Sequence, residues 1–289
     1  MTPVGAAVLV ALLLAACRDT TGADRGPARL VFVRAPSYDT LFVASKSGAV
    51  TQRIPLALPS TVVRVSPRGD RLALVHKSQL WVTSLDGSSA RQVAASASNV
   101  TWSPDGARLA YIVGVRPQQL RIVNADGGGE VVVPGAVPGG FGGLAWSPDG
   151  GRIAFEGMRG GSRTVYVINT DGSGLRDIEQ NLPGPALEMR SIGEPTWSPD
   201  GKRLAFHRFE SWVEINLWVV TLATGNARQI TAGGSDVRAA WSPTGELIAF
   251  LRYEGDHADA FVVRPDGSGL VRITDTPRVD EASPNWLSD

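Results

Sequence analysis

The sequence has a single cysteine and no excess of charge of either sign, and these two features exclude two broad classes of protein. The 289 residues include one cysteine, so no disulfide can form within the chain. Charged residues make up 19% of the sequence, and 28 basic side chains balance 28 acidic ones. Because affinity for nucleic acid depends largely on cationic side chains that neutralise phosphates, this balance predicts no nucleic-acid partner. The chain is neither a disulfide scaffold nor a typical nucleic-acid-binding domain.

Helical periodicity and several enzyme motifs are missing as well. Outside residues 4–16, no stretch of ten or more residues repeats its apolar positions at the helical period, which predicts an all-β fold. The G-x-S-x-G motif of α/β-hydrolases does not occur. The glycine-rich segment 134–143 leads into a predicted strand and not into a helix N-terminus, so it does not resemble a phosphate-binding loop. We expect no cofactor.

The N-terminal segment has the features of a secretion signal. Residues 4–16 are uncharged and apolar, a run shorter than the roughly 20 residues of a membrane-spanning helix, and we predict a signal peptide over residues 1–16. The sequence ending this segment, Leu-Ala-Ala-Cys at 14–17, resembles the bacterial lipobox. That resemblance implies a lipid-modified N-terminus at Cys17 and a membrane anchor. An ordinary signal peptide with an incidental cysteine is the alternative.

The lipobox resemblance also bears on localisation. It implies a lipid-anchored protein of the cell envelope, on the periplasmic face or in the outer membrane, because Arg18 is not the aspartate that marks inner-membrane retention in enteric bacteria. Residues 17–28 are polar, with glycine and proline but no apolar period, and are predicted to form a flexible tether.

The remainder of the chain, residues 29–289, is built from one repeated phrase. Near-full copies occur at 64–75, 101–112, 145–156, 196–207 and 240–251, and a sixth begins at 285. The equivalent positions are Val65, Trp102, Trp146, Trp197, Trp241 and Trp286. Their spacing of 37 to 51 residues is typical of a four-stranded propeller blade. The five tryptophans are expected to be structural residues of the blade core.

Each copy predicts the same local structure. Trp-Ser ends a first strand, the Pro-Asp-Gly sequence forms a tight turn, and Arg-Leu-Ala-Phe begins a second strand. Third and fourth strands follow, separated by an Asp-Gly turn. The sixth copy supplies a first strand at 283–287, while 29–34, 40–45 and 50–54 supply three strands near the N-terminus. We therefore expect a six-bladed β-propeller closed by a blade shared between the two ends.

The W-S-P-D-G-x-R-L-A-F phrase resembles the propeller repeat of the TolB family. Similar repeats occur in oligogalacturonate lyases and in the propellers of prolyl-oligopeptidase-type peptidases. The resemblance covers residues 29–289, and we expect the α/β domain that precedes the propeller in TolB to be absent. It implies a non-enzymatic, monomeric binding module or scaffold whose partner is an envelope protein such as a peptidoglycan-associated lipoprotein.

The repeated aspartates in the turns do not predict a metal site. Those after the third strands, at Asp86, Asp126, Asp171 and Asp266, lie in separate repeats, whereas calcium needs six to eight oxygens at one point. We interpret each one as a turn former. His76, His207 and His257 are predicted to emerge at one face, which leaves open a lyase-like enzyme with a metal site. A sensor for a small ligand in the central channel is a further alternative.

Longer, more variable loops are expected at the opposite face from the Pro-Asp-Gly turns. The segments 157–163, 208–214 and 252–259 combine aromatic, basic and acidic residues, as recognition surfaces do. The predicted partner-binding residues are Arg208, Phe209, Glu210, Trp212, Tyr253, Glu254, Asp256 and His257.

Overall fold

A computed structural model of the chain describes residues 30–33, 40–44, 50–55, 58, 60, 62–85, 89–114, 118–136, 139, 143–179, 192–211, 214–255 and 257–272. Before residue 58 and at residue 257 it describes the backbone alone. Within these ranges there is no α-helix, so the all-β prediction is confirmed. The strands pair antiparallel, apart from one parallel contact between Ile215 and Ser235 that joins two neighbouring four-strand units. The described part of the chain also contains no helix with the length and apolar character needed to cross a bilayer.

The described strands follow the predicted four-strand repeat. Blade 1 comprises β4 (Val62–Val65), β5 (Arg71–His76), β6 (Gln79–Ser84) and β7 (Ala90–Ala94). Blade 2 comprises β8 (Asn99–Trp102), β9 (Arg108–Val113), β10 (Gln119–Asn124) and β11 (Val131–Val132). Blade 3 comprises β12 (Leu144–Trp146), β13 (Arg152–Arg159), β14 (Ser162–Asn169) and β15 (Arg176–Asp177). Blade 4 comprises β16 (Ile192–Trp197), β17 (Arg203–Phe209), β18 (Ile215–Thr221) and β19 (Ala227–Gln229). Blade 5 comprises β20 (Ser235–Trp241), β21 (Ile248–Glu254), β22 (His257–Val263) and β23 (Val271–Arg272).

A sixth, three-stranded sheet lies near the N-terminus. It consists of β1 (Leu30–Val33), β2 (Thr40–Ala44) and β3 (Val50–Pro55), paired in chain order at the three predicted positions. Its predicted fourth strand at 283–287, with Trp286, lies outside the described residues. Closure of the ring by a shared blade therefore stays a prediction.

The Ser-Pro-Asp-Gly turn forms as its side chains predict. In blade 2 the Ser103 hydroxyl donates to Asp105 Oδ1 over 2.5 Å, and the same carboxylate accepts from Ala107 N at 2.9 Å. Gly106 adopts a φ of +68°, which costs glycine little. The serine hydroxyl first, and then the backbone N–H, lower the pKa of the Asp105 carboxyl. These bonds fix the turn between first and second strands.

The aspartates after the third strands also act as turn formers. Asp126 accepts from Gly128 N, Asp171 from Ser173 N and Asp266 from Ser268 N, each at 2.8 to 2.9 Å. This confirms the interpretation of these residues as local backbone acceptors. Asp86 lies outside the described residues.

Consecutive blades are joined through buried apolar layers. Each main cluster draws on two neighbouring blades, for example Leu80 of blade 1 with Tyr111 of blade 2, and Ile112 of blade 2 with Phe155 of blade 3. First strands lie side by side, with β4 against β8, β8 against β12, β12 against β16 and β16 against β20. The first strands therefore form the inner layer of the assembly.

The repeated tryptophan and arginine connect each blade to the next. The four tryptophans at 102, 146, 197 and 241 are buried, with 6 to 7% of their surface exposed. An arginine of the preceding blade covers each ring at 4.6 to 5.1 Å from its centroid. The pairs are Arg71 with Trp102, Arg108 with Trp146, Arg152 with Trp197 and Arg203 with Trp241. The sequence predicted tryptophan as a structural residue of the blade core but not the arginine that covers it.

Candidate functional site

The two ends of the blades differ in structure. At one end, the guanidinium of Arg71 donates to the carbonyl of Gly106, and that of Arg152 to the carbonyl of Gly201, so turns of neighbouring blades lie together. We call this the turn end. Second strands run away from it, and their connections to third strands lie at the opposite end, which we call the open end. The described members of the predicted partner-binding set lie towards the open end; they are Arg208, Phe209, Glu210, Tyr253, Glu254 and His257.

Two segments predicted as open-end loops are strand hairpins, so that prediction was wrong. Strand β13 continues through Arg159, and β14 begins at Ser162 after a two-residue turn. Gly160 and Gly161 there have φ values of +56° and +91°, which fit a tight hairpin. In blade 5, β21 continues through Glu254, which pairs with His257. The polar composition of these two segments suggested irregular loops, but their residues pair across a hairpin instead.

In blade 4 the predicted charged residues are engaged within the hairpin. Arg208 is 3% exposed, and its guanidinium lies 4.0 Å from the ring centroid of Trp218. Glu210 accepts from Arg208 Nη2 at 2.8 Å and from Trp218 Nε1 at 2.9 Å. Half-buried Phe209 contacts the His207 ring edge-on. Arg208 and Glu210 therefore stiffen the hairpin, and whether they also contact a partner stays untested.

Exposed apolar groups at the open end come from blades 3 and 5. Met158 and Tyr253 are each 41% exposed, near the tips of their hairpins. Glu254 is exposed as predicted, with its carboxylate 3.8 Å from Arg272. Trp212 and Asp256 lie outside the described residues, and His257 is described by its backbone alone, as the first residue of β22. Cys17 also lies outside the described residues.

The three histidines do not occupy matching positions. His76 is the last residue of β5, and His207 lies within β17, so neither is in a loop after the second strand as predicted. Counted from Val65 and Trp197, they are offset by one residue, and successive side chains of a strand point to opposite faces. Among the described residues, no group of three His, Cys, Asp or Glu side chains is placed to hold a metal. His76 and His207 therefore differ in position within their strands, and their emergence at one face stays a prediction.

A polar cluster that the sequence analysis missed lies on first and second strands of blades 3 to 5. We define the inner cluster as Glu156, Glu194, His207 and Arg238. Glu156 is 3% exposed, and its Oε1 accepts from the backbone N–H groups of Glu194 at 2.8 Å and Gly143 at 2.9 Å. Glu194 Oε2 accepts from Arg238 N at 3.1 Å and lies 3.6 Å from His207 Nδ1. The cluster connects blades 3, 4 and 5.

A β-bulge places each of the two inner-strand members. Glu194 and Arg238 both stand three residues before their tryptophan, where β16 and β20 shift register. Their φ values are +49° and +58°, a conformation that costs a residue other than glycine or asparagine of order 1–3 kcal/mol. Gly193 permits the close approach of Glu156, because a Cβ there would lie 2.5 Å from Glu156 Oε1. Strained non-glycine residues persist only where their surroundings hold them.

Opposing effects set the ionisation of the Glu194 carboxyl. Burial raises its pKa, but contact with His207, the charges of His207 and Arg238, and the bond from Arg238 N lower it by more. The net pKa lies below the ordinary value of 4.5. At 3.6 Å the contact with His207 is an ion pair when the imidazole is protonated, rather than a hydrogen bond. The cluster therefore holds Glu194 as a carboxylate.

The depressed pKa of Glu194 predicts a pH-dependent contribution to stability. Because the folded-state pKa is lower than the unfolded one, the contribution is complete above the unfolded value of 4.5 and is lost as pH falls through the folded value. We expect Glu194→Gln to reduce the loss of stability between pH 6 and pH 3, measured by urea denaturation. Glu246→Gln, at an exposed turn residue, is the control. An identical pH slope in Glu194→Gln and the wild type would contradict this account.

Known proteins share the fold and part of the sequence. No family model matches the chain. A TolB homolog from Chlorobium chlorochromatii (strain CaD3) is 29% identical over 136 residues, which is 47% of this chain but 28% of that protein. The matched region therefore spans less than a third of the curated relative.

Solved structures extend the similarity to most of the chain. TolB from Acinetobacter baumannii superposes with a TM-score of 0.68 and 16% identity, covering 91% of this chain and 66% of that one. An oligogalacturonate lyase from Vibrio parahaemolyticus gives a TM-score of 0.64 and 13% identity, covering 94% and 79%. At these identities the structures support the propeller fold alone. With the repeated phrase and the curated relative, they identify the chain as a TolB-like β-propeller protein.

Proposed function

We propose that this protein is a cell-envelope binding module, anchored through a lipid on Cys17, that binds a protein partner at the open end of its propeller. The resemblance to the TolB family suggests an envelope partner of the peptidoglycan-associated lipoprotein kind. The tether over residues 17–28 would let the propeller reach a partner at some distance from the membrane.

The observation that carries the proposal is the exposure of large apolar side chains on hairpins of the open end. Met158 and Tyr253 lie on two different blades, each with 41% of its surface exposed. Aromatic residues and methionine are enriched at the cores of protein interfaces, and basic and acidic residues around them favour one partner over another.

Ion pairs between half-exposed arginines and buried carboxylates hold these hairpins in place. Arg159 donates to Asp177 over 2.9 Å, and Asp177 also accepts from the Thr164 hydroxyl at 3.0 Å. In blade 5, Arg272 donates to Asp259, which is 0% exposed. A surface whose hairpins are already rigid loses little conformational entropy on binding. The described part of the open end is therefore suited to recognition without rearrangement.

Substitutions at the two ends of the same blade test which end binds. We expect Tyr253→Ala and Met158→Ala each to weaken binding, by about 2 kcal/mol or roughly 30-fold for the tyrosine. The measurement is co-purification from envelope with the lipid anchor intact, followed by titration of the captured partner. Trp212→Ala is expected to have at least as large an effect, again about 2 kcal/mol.

Leu175→Ala is the matched control. Leu175 is 42% exposed, against 41% for Met158, and lies in the same blade but next to the turn that precedes β15. It should leave the affinity unchanged. Equal losses in Met158→Ala and Leu175→Ala, or a loss in Leu175→Ala alone, would refute binding at the open end.

A protein without Cys17 that still incorporates labelled palmitate would refute the anchor.

A further inference from the structure

A cleft lies between blades 1 and 2 at the turn end, opposite the hairpins of the open end. It has a volume of about 400 Å³, which suits a small molecule, and its apolar lining includes Val82, Ala90 and Ala125. The turn after β10 packs closely on blade 1 beside this cleft, because a Cβ at Gly127 would lie 3.7 Å from the Cα of Val93. The cleft is therefore bounded by two blades.

Two arginines reach the cleft from the same face of blade 1. Arg71 pairs with Ser84 across β5 and β6, and Val82 pairs with Arg91 across β6 and β7. Since Ser84 and Val82 are two residues apart on one strand, all four side chains project from one face of the sheet. Val82 packs into the apolar layer between blades 1 and 2, so this face is the one that meets blade 2.

Blade 2 engages only one of these arginines. Arg71 Nη2 donates to the carbonyl of Gly106 at 2.6 Å, and the guanidinium lies 5.0 Å from the ring centroid of Trp102. Its Nε is 3.7 Å from Asp70 Oδ1, beyond hydrogen-bonding distance, and 32% of the Arg71 side chain is exposed. Arg91 is exposed and forms no hydrogen bond or ion pair within the part of the chain that the structure describes. One guanidinium is therefore held in place, and the other is available.

The corresponding arginine of blade 3 has a structural role that Arg91 lacks. Arg176 pairs with Val167 as Arg91 pairs with Val82, so both arginines occupy the same place on a fourth strand. The guanidinium of Arg176 donates to the carbonyl of Leu222 and so connects blade 3 to blade 4. A bridge between blades therefore accounts for Arg176 but not for Arg91.

The polar groups beside the two arginines indicate the chemistry of a ligand. Ser89 N donates to Ser84 Oγ at 3.3 Å, which holds the exposed Ser89 hydroxyl at the cleft, where its hydrogen is able to rotate towards a ligand. On the blade 2 side, exposed Asp126 accepts from Gly128 N at 2.9 Å. The cleft thus combines two cationic groups and a hydroxyl on one wall with a carboxylate on the other.

We propose that Arg71, Arg91 and the Ser89 hydroxyl bind the phosphoryl group of a small phosphorylated polyol in this cleft. Arginine forms strong charge-assisted bonds with phosphate, whose oxygens diverge and accept from donors that come from different parts of the chain. Asp126 repels a simple anion but accepts a hydrogen bond from a hydroxyl of the polyol, and the apolar lining contacts its carbon skeleton. The proposal does not depend on a protein partner at the open end.

Isothermal titration of the purified full-length chain with glucose 1-phosphate, glycerol 3-phosphate, glucose and inorganic phosphate tests the ligand class. We expect a phosphorylated polyol to bind 1:1 with a Kd of about 1 mM or lower, roughly tenfold more tightly than glucose or inorganic phosphate. Tighter binding of glucose 1-phosphate supports a sugar as the polyol, and tighter binding of glycerol 3-phosphate supports a glycerol headgroup. Binding of neither, or binding no tighter than that of glucose or inorganic phosphate, would overturn the proposal.

Removal of one charge at Arg91 separates the cleft from the general electrostatics of the surface. Arg91→Gln should weaken binding roughly tenfold and leave the melting temperature unchanged, because its exposed side chain bonds nothing in the described ranges. Arg68→Gln is the matched control, since it removes the same charge from an exposed residue of blade 1 at the turn end but outside the cleft lining. Its affinity should equal that of the wild type. Equal losses in the two variants, or wild-type affinity in Arg91→Gln, would contradict the proposal.

Substitution at Asp126 tests recognition of the polyol part. Asp126→Asn keeps an oxygen that accepts from Gly128 N, so the turn is expected to form, but it removes the negative charge. The preference for the phosphorylated polyol over inorganic phosphate should therefore fall. An unchanged preference in Asp126→Asn would refute the assigned role of this carboxylate.

Discussion

Replacing Arg252 with alanine is expected to destabilise the protein by about 3–5 kcal/mol, because it leaves a buried carboxylate without its counter-charge. Asp236 is 0% exposed and accepts from Arg252 Nε at 2.6 Å and from Nη2 at 2.7 Å. The bond to Asp236, more than any other effect, raises the pKa of Arg252. The guanidinium also lies 5.2 Å from the ring centroid of Phe261. Urea denaturation of the purified variant measures the loss.

An exposed ion pair provides the control for this prediction. Arg121 lies 2.8 Å from Glu130, with side chains 29% and 40% exposed, so Arg121→Ala is expected to cost no more than about 1 kcal/mol. A double variant, Arg252→Met with Asp236→Leu, should recover most of the stability, since it removes both charges. Similar losses in Arg252→Ala and Arg121→Ala would show that the Asp236 pair does not stabilise blade 5.

Trp197→Ala is expected to reduce the free energy of unfolding by about 3–5 kcal/mol, as much as Arg252→Ala but through a different mechanism. The indole is 7% exposed and fills the contact between blades 3 and 4, where its Nε1 donates to the carbonyl of Ala145 at 3.1 Å. The guanidinium of Arg152, from blade 3, lies 4.7 Å from the ring centroid. The substitution therefore opens a cavity, breaks a bond between blades and removes a cation–π contact together.

Trp81→Ala is the control, because Trp81 is a tryptophan outside the repeated position. Trp81 lies on the third strand of blade 1, is only partly buried and packs on Leu72 and Leu74 of its own blade. Its replacement should cost markedly less in the same thermal denaturation experiment. If Trp81→Ala and Trp197→Ala lower the melting temperature equally, the repeated tryptophan has no special role in joining blades.

The order of the strands was predictable because each depends on local chemistry. Proline and glycine set the turn after each first strand of blades 1 to 5, and a short continuous apolar run sets the second strand, as at Arg108–Val113. The second strands that end at Arg159 and Glu254 are longer than predicted. Charged residues beside glycine suggested loops there, but pairing with the third strand extends each second strand.

The contacts between blades could not be predicted from local sequence patterns. Glu156 and Glu194 are 38 residues apart, and no local pattern brings their side chains together. A partial signal existed: Glu194 and Arg238 share one position relative to their tryptophans, where another blade has Gly143. A similar signal was available for Arg208 and Glu210, since residues two apart on a strand share a face and can pair.

Hydrogen exchange of the intact, anchored protein with and without its captured envelope partner tests the central claim most directly. The account predicts that binding slows amide exchange at the hairpin tips around 157–163 and 252–255, while the turns at 103–107 and 147–151 exchange as before. Protection confined to those turns, or none at the hairpin tips, would contradict recognition at the open end of the propeller.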